Sequence, residues 1–137
     1  VSDLLIRAAF NARIEAWAAS NSVTFVSEND GDGPIVGAYV ETFILPAPTL
    51  SRGMDGTHRE WRGVCQVNVC VPVDTGWGAA SGYASSLDAA FPLTAYITQL
   101  GLKIWITAPF SAAPAAFRSD THWVLPVSCQ YQAHAFV

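Results

Sequence analysis

Apolar and polar positions in the opening segment recur with the period of a helix. Ile6, Phe10, Ile14 and Trp17 form one stripe, and Leu5, Ala9, Ala12 and Ala16 widen it into an arc suited to packing on a sheet. Ser2 offers a side-chain oxygen to the first-turn amides, so a helix over residues 2–19 is predicted. Arg13 projects into the arc and must either snorkel or find an acceptor; a stem lying over the core edge is the simpler reading.

The pattern then switches to period two. Residues 23–26 read as a short strand, followed by a polar turn from Glu28 to Pro34. Its tandem Asp-Gly pairs lack the remaining oxygen ligands and closing Glu of a calcium loop, so a solvated turn is expected. Residues 39–45 form the next strand, stopped by Pro46 and Pro48, and a long connection carries Gly53 and Gly56.

Residues 61–73 alternate most regularly. Trp61, Cys65, Val67, Val69 and Val71 share one face, and Arg62, Gln66 and Asn68 the other. After Asp74 the helical period returns in Trp77, Ala80, Ala84, Leu87 and Phe91, ending at Pro92. Leu102, Ile104 and Ile106 alternate with Lys103, Trp105 and Thr107 in another strand, with a short one expected near Tyr96, and residues 109–120 read as a loop. The last strand sets Trp123, Leu125, Val127, Cys129, Tyr131 and Ala133 against His122, Ser128, Gln130, Gln132 and His134, and Pro126 argues for an edge or a bulge. The fold class is therefore α+β, a mainly antiparallel sheet with two helices packed on one face, as a single domain over residues 1–137.

Composition narrows the function classes. Of 137 residues, 51% are apolar and 13% charged, with eleven acids and seven bases, which excludes a disordered tail, a coiled coil and a polybasic arm. A net charge of −4 gives no bulk attraction to DNA or to an anionic bilayer. A domain of this size buries roughly 68% of the surface its unfolded chain exposes, enough for a core without metals or disulfides. The three cysteines are expected to be free thiols. No apolar stretch approaches the roughly 20 residues of a membrane helix. Asp3, Arg7, Arg13 and Glu15 stand where a signal peptide would be uncharged, so a soluble protein in a reducing cytoplasm is expected.

Catalytic patterns are scarce. The sequence has no phosphate-cradling Gly-rich loop before a helix, no G-x-S-x-G elbow, no His-Glu-x-x-His and no Cys-x-x-Cys. Cys65 and Cys70 fall on opposite strand faces. His122 and His134 share a face but lie roughly 40 Å apart along a straight strand, so no cofactor and no metal site is expected. His58, with Asp55, Arg59 and Glu60, is the one acid-base candidate, and contact with a partner is the competing reading of that loop.

The polar strand faces carry more information. Gln66, Asn68, Ser128, Gln130 and Gln132 are uncharged hydrogen-bonding groups where a face meant for bulk water more often carries Lys and Glu. Trp105, with Tyr39 and Phe43, lies off the core face as well. Either this is a Gln-rich solvent face, or it meets another subunit or lines a channel. Arg52 and Arg59, with Arg62 just beyond, gather three of the seven basic residues around the 46–61 loop, where Met54 offers little to fold on; a mobile docking loop is expected.

The chain as a whole resembles the tail terminator proteins of long-tailed, siphovirus-type bacteriophages. The resemblance runs through SDLLIRAAFNARIEAW, YVETFILPAPT, HREWRGVCQVNVCVPVDTGWGAASGYASSLDAAFP and the closing HWVLPVSCQYQAHAF. It implies a structural protein without enzymatic activity that forms a hexameric ring at the head-proximal end of the tail, assembled in the host cytoplasm. It further implies that this ring stops the major tail tube protein from polymerising, docks the head-tail connector protein, and lets DNA pass without specific binding. Residues expected at the subunit or tube interface are Arg52, Met54, Asp55, His58, Arg59, Arg62, Gln66, Asn68, Trp105, Gln130 and Gln132. Another neck or tail-completion protein of the same fold, and a small hydrolase or binding domain using the His58 loop, are the alternatives.

Overall fold

The alternation around Cys65 places Val67, Val69 and Val71 beside it on one sheet face, and that face is the floor of the core. The computed structural model describes residues 2–28, 36–51, 53–74, 76–93, 96–99, 102–112, 117–118 and 121–136. In chain order these form α1 (Ser2–Ser20), β1 (Thr24–Val26), β2 (Tyr39–Pro46), β3 (His58–Pro72), α2 (Gly78–Ala89), β4 (Tyr96–Gln99), β5 (Leu102–Ala112), β6 (Phe117–Arg118) and β7 (His122–Phe136). The strands lie in the order β1-β2-β3-β7-β5-β4, with β6 also paired to β7. Every pairing is antiparallel except β1 with β2. The expected α+β architecture, with both helices over one sheet face, is therefore present.

Ile6, Phe10, Ile14 and Trp17 of α1 are buried as the helical period requires. The apolar arc is narrower than the sequence suggested, because Ala12 and Ala16 are exposed and Ala18 is buried instead. Small alanines carry little apolar surface and tolerate either side. The two helices meet over the core: Phe10 stacks on Phe91 at 5.7 Å, and Trp17 Nε1 donates to Ser86 Oγ at 3.0 Å. Arg13 finds an acceptor, donating from Nε to Ala90 O at 2.7 Å with its guanidinium 5.5 Å from the Phe91 ring centre.

Four expectations need correction. Trp77 precedes α2 and is 72% exposed, so the helix buries Ala80 and Leu87 without it. Pro109 does not begin a loop, since β5 continues to Ala112 through two register shifts. Asp88 Oδ1 accepts the Phe110 amide there at 3.1 Å, and Phe110 returns to the core against Phe91 at 5.2 Å. Pro126 is not on an edge strand: β7 lies between β3 and β5. Pro126 falls between the last β5 pair, Ala112 with Val127, and the first β6 pair, Phe117 with Val124, where the described ladders on that side leave it unpaired. His122, assigned by alternation to the polar face, is buried there, with Nε2 2.9 Å from Gly37 O and the Tyr39 ring edge-on at 4.8 Å. The segment before β2 covers that end of the face, which alternation alone does not reveal. The Asp-Gly turn after Glu28 lies outside the described residues.

Candidate functional site

The face of the sheet away from the helices carries the uncharged polar residues singled out from the sequence. Antiparallel register sets Glu60 opposite His134, Arg62 opposite Gln132 and Gln66 opposite Ser128, while β5 brings Trp105 alongside Gln132 from the other side. Side chains in register on one face lie close enough to bond. Gln66 Nε2 donates to Asn68 Oδ1 at 3.0 Å.

At the end where β3 begins, these residues condense into a network. His58 Nε2 is 3.1 Å from His134 Nδ1, and the Gln132 amide nitrogen lies 2.9 Å from His134 Nε2 while donating its other hydrogen to Glu60 Oε1. Glu60 is buried, and Trp105 closes over His134 edge-on at 5.8 Å and over Tyr96 at 5.1 Å. Sequence spacing had compared His134 with His122; the structure joins it instead to His58, across strands no local motif relates. Among the described residues no group of three or more His, Cys, Asp and Glu could hold a metal ion.

Beside the network a groove of about 470 Å³ runs between Ala47, Glu60, Arg62, Thr107, Gln130 and Gln132. Arg62 and Gln130 are exposed on its rim. Gly63 lets the hairpin close tightly here, because a Cβ at that position would lie 2.6 Å from Leu45 O and 2.7 Å from the Tyr131 hydroxyl.

The β2–β3 connection is more ordered internally than its composition suggested. Leu50 and Glu60 exchange backbone hydrogen bonds of 3.0 and 2.7 Å. Asp55 Oδ1 accepts from the Thr57 amide and hydroxyl at 3.1 and 2.9 Å, and these donors hold its carboxyl below the usual carboxylate range. Arg59 donates to Gly56 O and His58 O, and Gly56 adopts a φ of 74° that a side chain would resist. The Asx-type turn, which sequence reading overlooked, was signalled by Asp-Gly-Thr. Met54 stands fully exposed at the tip, and Arg52 lies outside the described residues.

Among the expected interface residues, the fold gathers His58, Gln132 and Trp105 at the network and Arg62 and Gln130 at the groove. Gln66 and Asn68 lie farther along the same face, while Met54, Asp55 and Arg59 lie on the loop. Sequence reading missed His134 and the buried Glu60 as parts of one polar unit. Their position opposite each other depends on a strand register that period-two alternation does not specify.

This constellation presents hydrogen-bonding surface and aromatic area. The family model described as phage tail terminator protein matches residues 5–131, and the chain belongs to that family of structural phage proteins. A tail terminator is a component of the virion tail, and that is the role the family assigns here. One solved structure is 34% identical, covers 97% of this chain and 95% of its own, and superposes with a TM-score of 0.79; its name states no function. No curated protein matches the chain.

Proposed function

We infer that the protein closes the head-proximal end of the tail tube as a homohexameric ring. The ring stops addition of the major tail tube protein and offers its outer surface to the head-tail connector protein, while DNA passes through without specific binding. Assembly takes place in the host cytoplasm, and the protein acts without catalysis. The observation that carries this reading is the family match along residues 5–131, joined to a sheet face of Gln66, Asn68, Gln130 and Gln132. Such a face loses little on burial in an assembly, because each amide can exchange water for a partner hydrogen bond.

In this reading the polar face and Trp105 meet a neighbouring subunit or the tube, and the loop from Pro46 to His58 docks beside them. Arg52 and Arg59 supply positive charge to an acidic partner surface, and ordering the loop there keeps the free ring weak. End-on images of capped tubes should show sixfold symmetry, and any other symmetry refutes the hexamer. A Trp105→Glu chain should fold yet fail to assemble. Reversing Arg52 and Arg59 should give tails of uncontrolled length; normal lengths would remove the loop from docking.

A further inference from the structure

The two ends of β3 carry features that complement one another. At its start, the loop lifts Met54 fully into solvent between Gly53 and Asp55. At its end, Pro72, Asp74, Trp77, Arg118 and Trp123 surround a cleft of about 320 Å³. Trp77 is 72% exposed at this cleft, a large aromatic surface left in water. Neither feature is used by the polar face described above.

The cleft can accept an unbranched thioether chain. Methionine fits irregular gaps and its sulfur makes favourable contacts with indole edges. Charge agrees with shape. Asp55 follows Met54, and its carboxylate is held ionised by the Thr57 donors. Arg118 on the cleft rim is 61% exposed and meets Asp74 at 3.7 Å, a loose exposed pair that leaves the guanidinium available. A Met54 tip entering the cleft carries Asp55 toward Arg118.

Within one molecule the two features lie at opposite ends of the 15-residue β3, about 46 Å apart along a straight strand at ~3.3 Å per rise. Between copies their meeting is a head-to-tail contact of unlike surfaces, the type that closes into a ring when the rotation fits. We propose that the Met54 tip of one subunit seats in the Trp77–Trp123 cleft of the next copy of this chain, with Asp55 pairing to its Arg118. This contact rests on the ring proposed above.

Sedimentation velocity of the full chain over a concentration series, alone and as Met54→Lys and Trp77→Ala, tests it. Both side chains are exposed, so the variants should melt as the parent does. Each alone should associate about tenfold or more weakly. An equimolar mixture should form two-subunit species, since the Met54 of one variant still meets the intact cleft of the other. A mixture as monomeric as its components would overturn the contact. Variants that assemble like the parent would also overturn it, leaving the ring intact and the Met54 tip to the tube or another protein. A parent chain that stays monomeric at every concentration would overturn ring and contact together.

Discussion

His58 and His134, 76 residues apart in sequence, share a hydrogen bond of 3.1 Å between Nε2 and Nδ1, beside the buried Glu60. When Glu60 is ionised its carboxylate only accepts, so Gln132 turns its nitrogen toward it, and the same nitrogen points its second hydrogen at His134 Nε2. In that arrangement a neutral His134 accepts at Nε2, carries its proton on Nδ1 and donates from there to His58 Nε2. An ionised Glu60 thus sets the direction of a four-residue chain spanning two strands.

The first prediction follows from that direction. In the neutral form of the folded protein His134 should be the Nδ1-H tautomer, the less common one in free imidazole. Long-range proton-nitrogen NMR correlations separate the tautomers, and an Nε2-H pattern for His134 would reject the chain. Glu60→Ala should cost about 1–2 kcal/mol in urea unfolding, because it takes the acceptor from the half-buried Gln132 donor.

A second prediction concerns the close approach of β2 and β3 at Gly63. A Cβ on residue 63 meets Leu45 O at 2.6 Å, the Tyr131 hydroxyl at 2.7 Å and Pro46 Cα at 3.0 Å, two of them rigid backbone atoms. Gly63→Ala should therefore destabilise the protein by about 2–3 kcal/mol by forcing β2 from β3. Gly82→Ala is the control, since nothing lies within 4 Å of its added methyl. In the α2 interior that change should stabilise by about 0.5–1 kcal/mol. Equal midpoints for the two variants in urea would contradict the steric account.

These sites also mark where sequence patterning stops. Helix α1 and the buried faces of β3 and β7 follow from Phe10, Ile14, Val67 and Tyr131, because amphipathic period is a local property. Strand neighbours are nonlocal. Pro126 reads as an edge or a bulge, and β7 lies between β3 and β5 with Pro126 unpaired by the described ladders on one side, while Pro109 reads as a terminator although Asp88 from α2 holds the irregular β5 in place. The polar face was legible as Gln66, Asn68, Gln130 and Gln132. Its unit of buried Glu60 with His134 depended on register and was not.

Alkaline pH provides a third prediction. Cys70 lies on the polar sheet face beneath Tyr39, and burial pushes its thiol up to about 11 from an ordinary 9.0. In the core, Cys65 faces Cys129 across β3 and β7; hydrogen bonding to that thiol, then burial, raise it well above 9.0. Burial, then the Cys70 thiol, raise the Tyr39 phenol too. Each group keeps its proton when folded at a pH where the unfolded chain has lost it, so its stabilisation is full below pH 9 and declines above. The melting temperature should be flat near neutrality and fall between pH 9 and about 11, with a shallower fall in Cys70→Ala. A flat profile to pH 11 would contradict this. All three cysteines are free and buried, so a thiol reagent should count three groups in denaturant and almost none without it.

The last prediction separates charge from packing at the helix junction. The last turn of α2 holds no basic residue, and the carbonyls ending a helix carry partial negative charge. Arg13 of α1 supplies the missing cation, donating to Ala90 O at 2.7 Å while its guanidinium lies over Phe91. Arg13→Met keeps the apolar stem but removes donor and charge, and should cost about 1–2 kcal/mol in urea unfolding. Arg13→Lys retains the charge but not the flat guanidinium over the ring, and should fall between. Glu15→Ala, exposed on the same helix, should change stability by less than about 0.5 kcal/mol. If Arg13→Met and Glu15→Ala unfold at the same denaturant concentration, the guanidinium contributes nothing to joining the two helices.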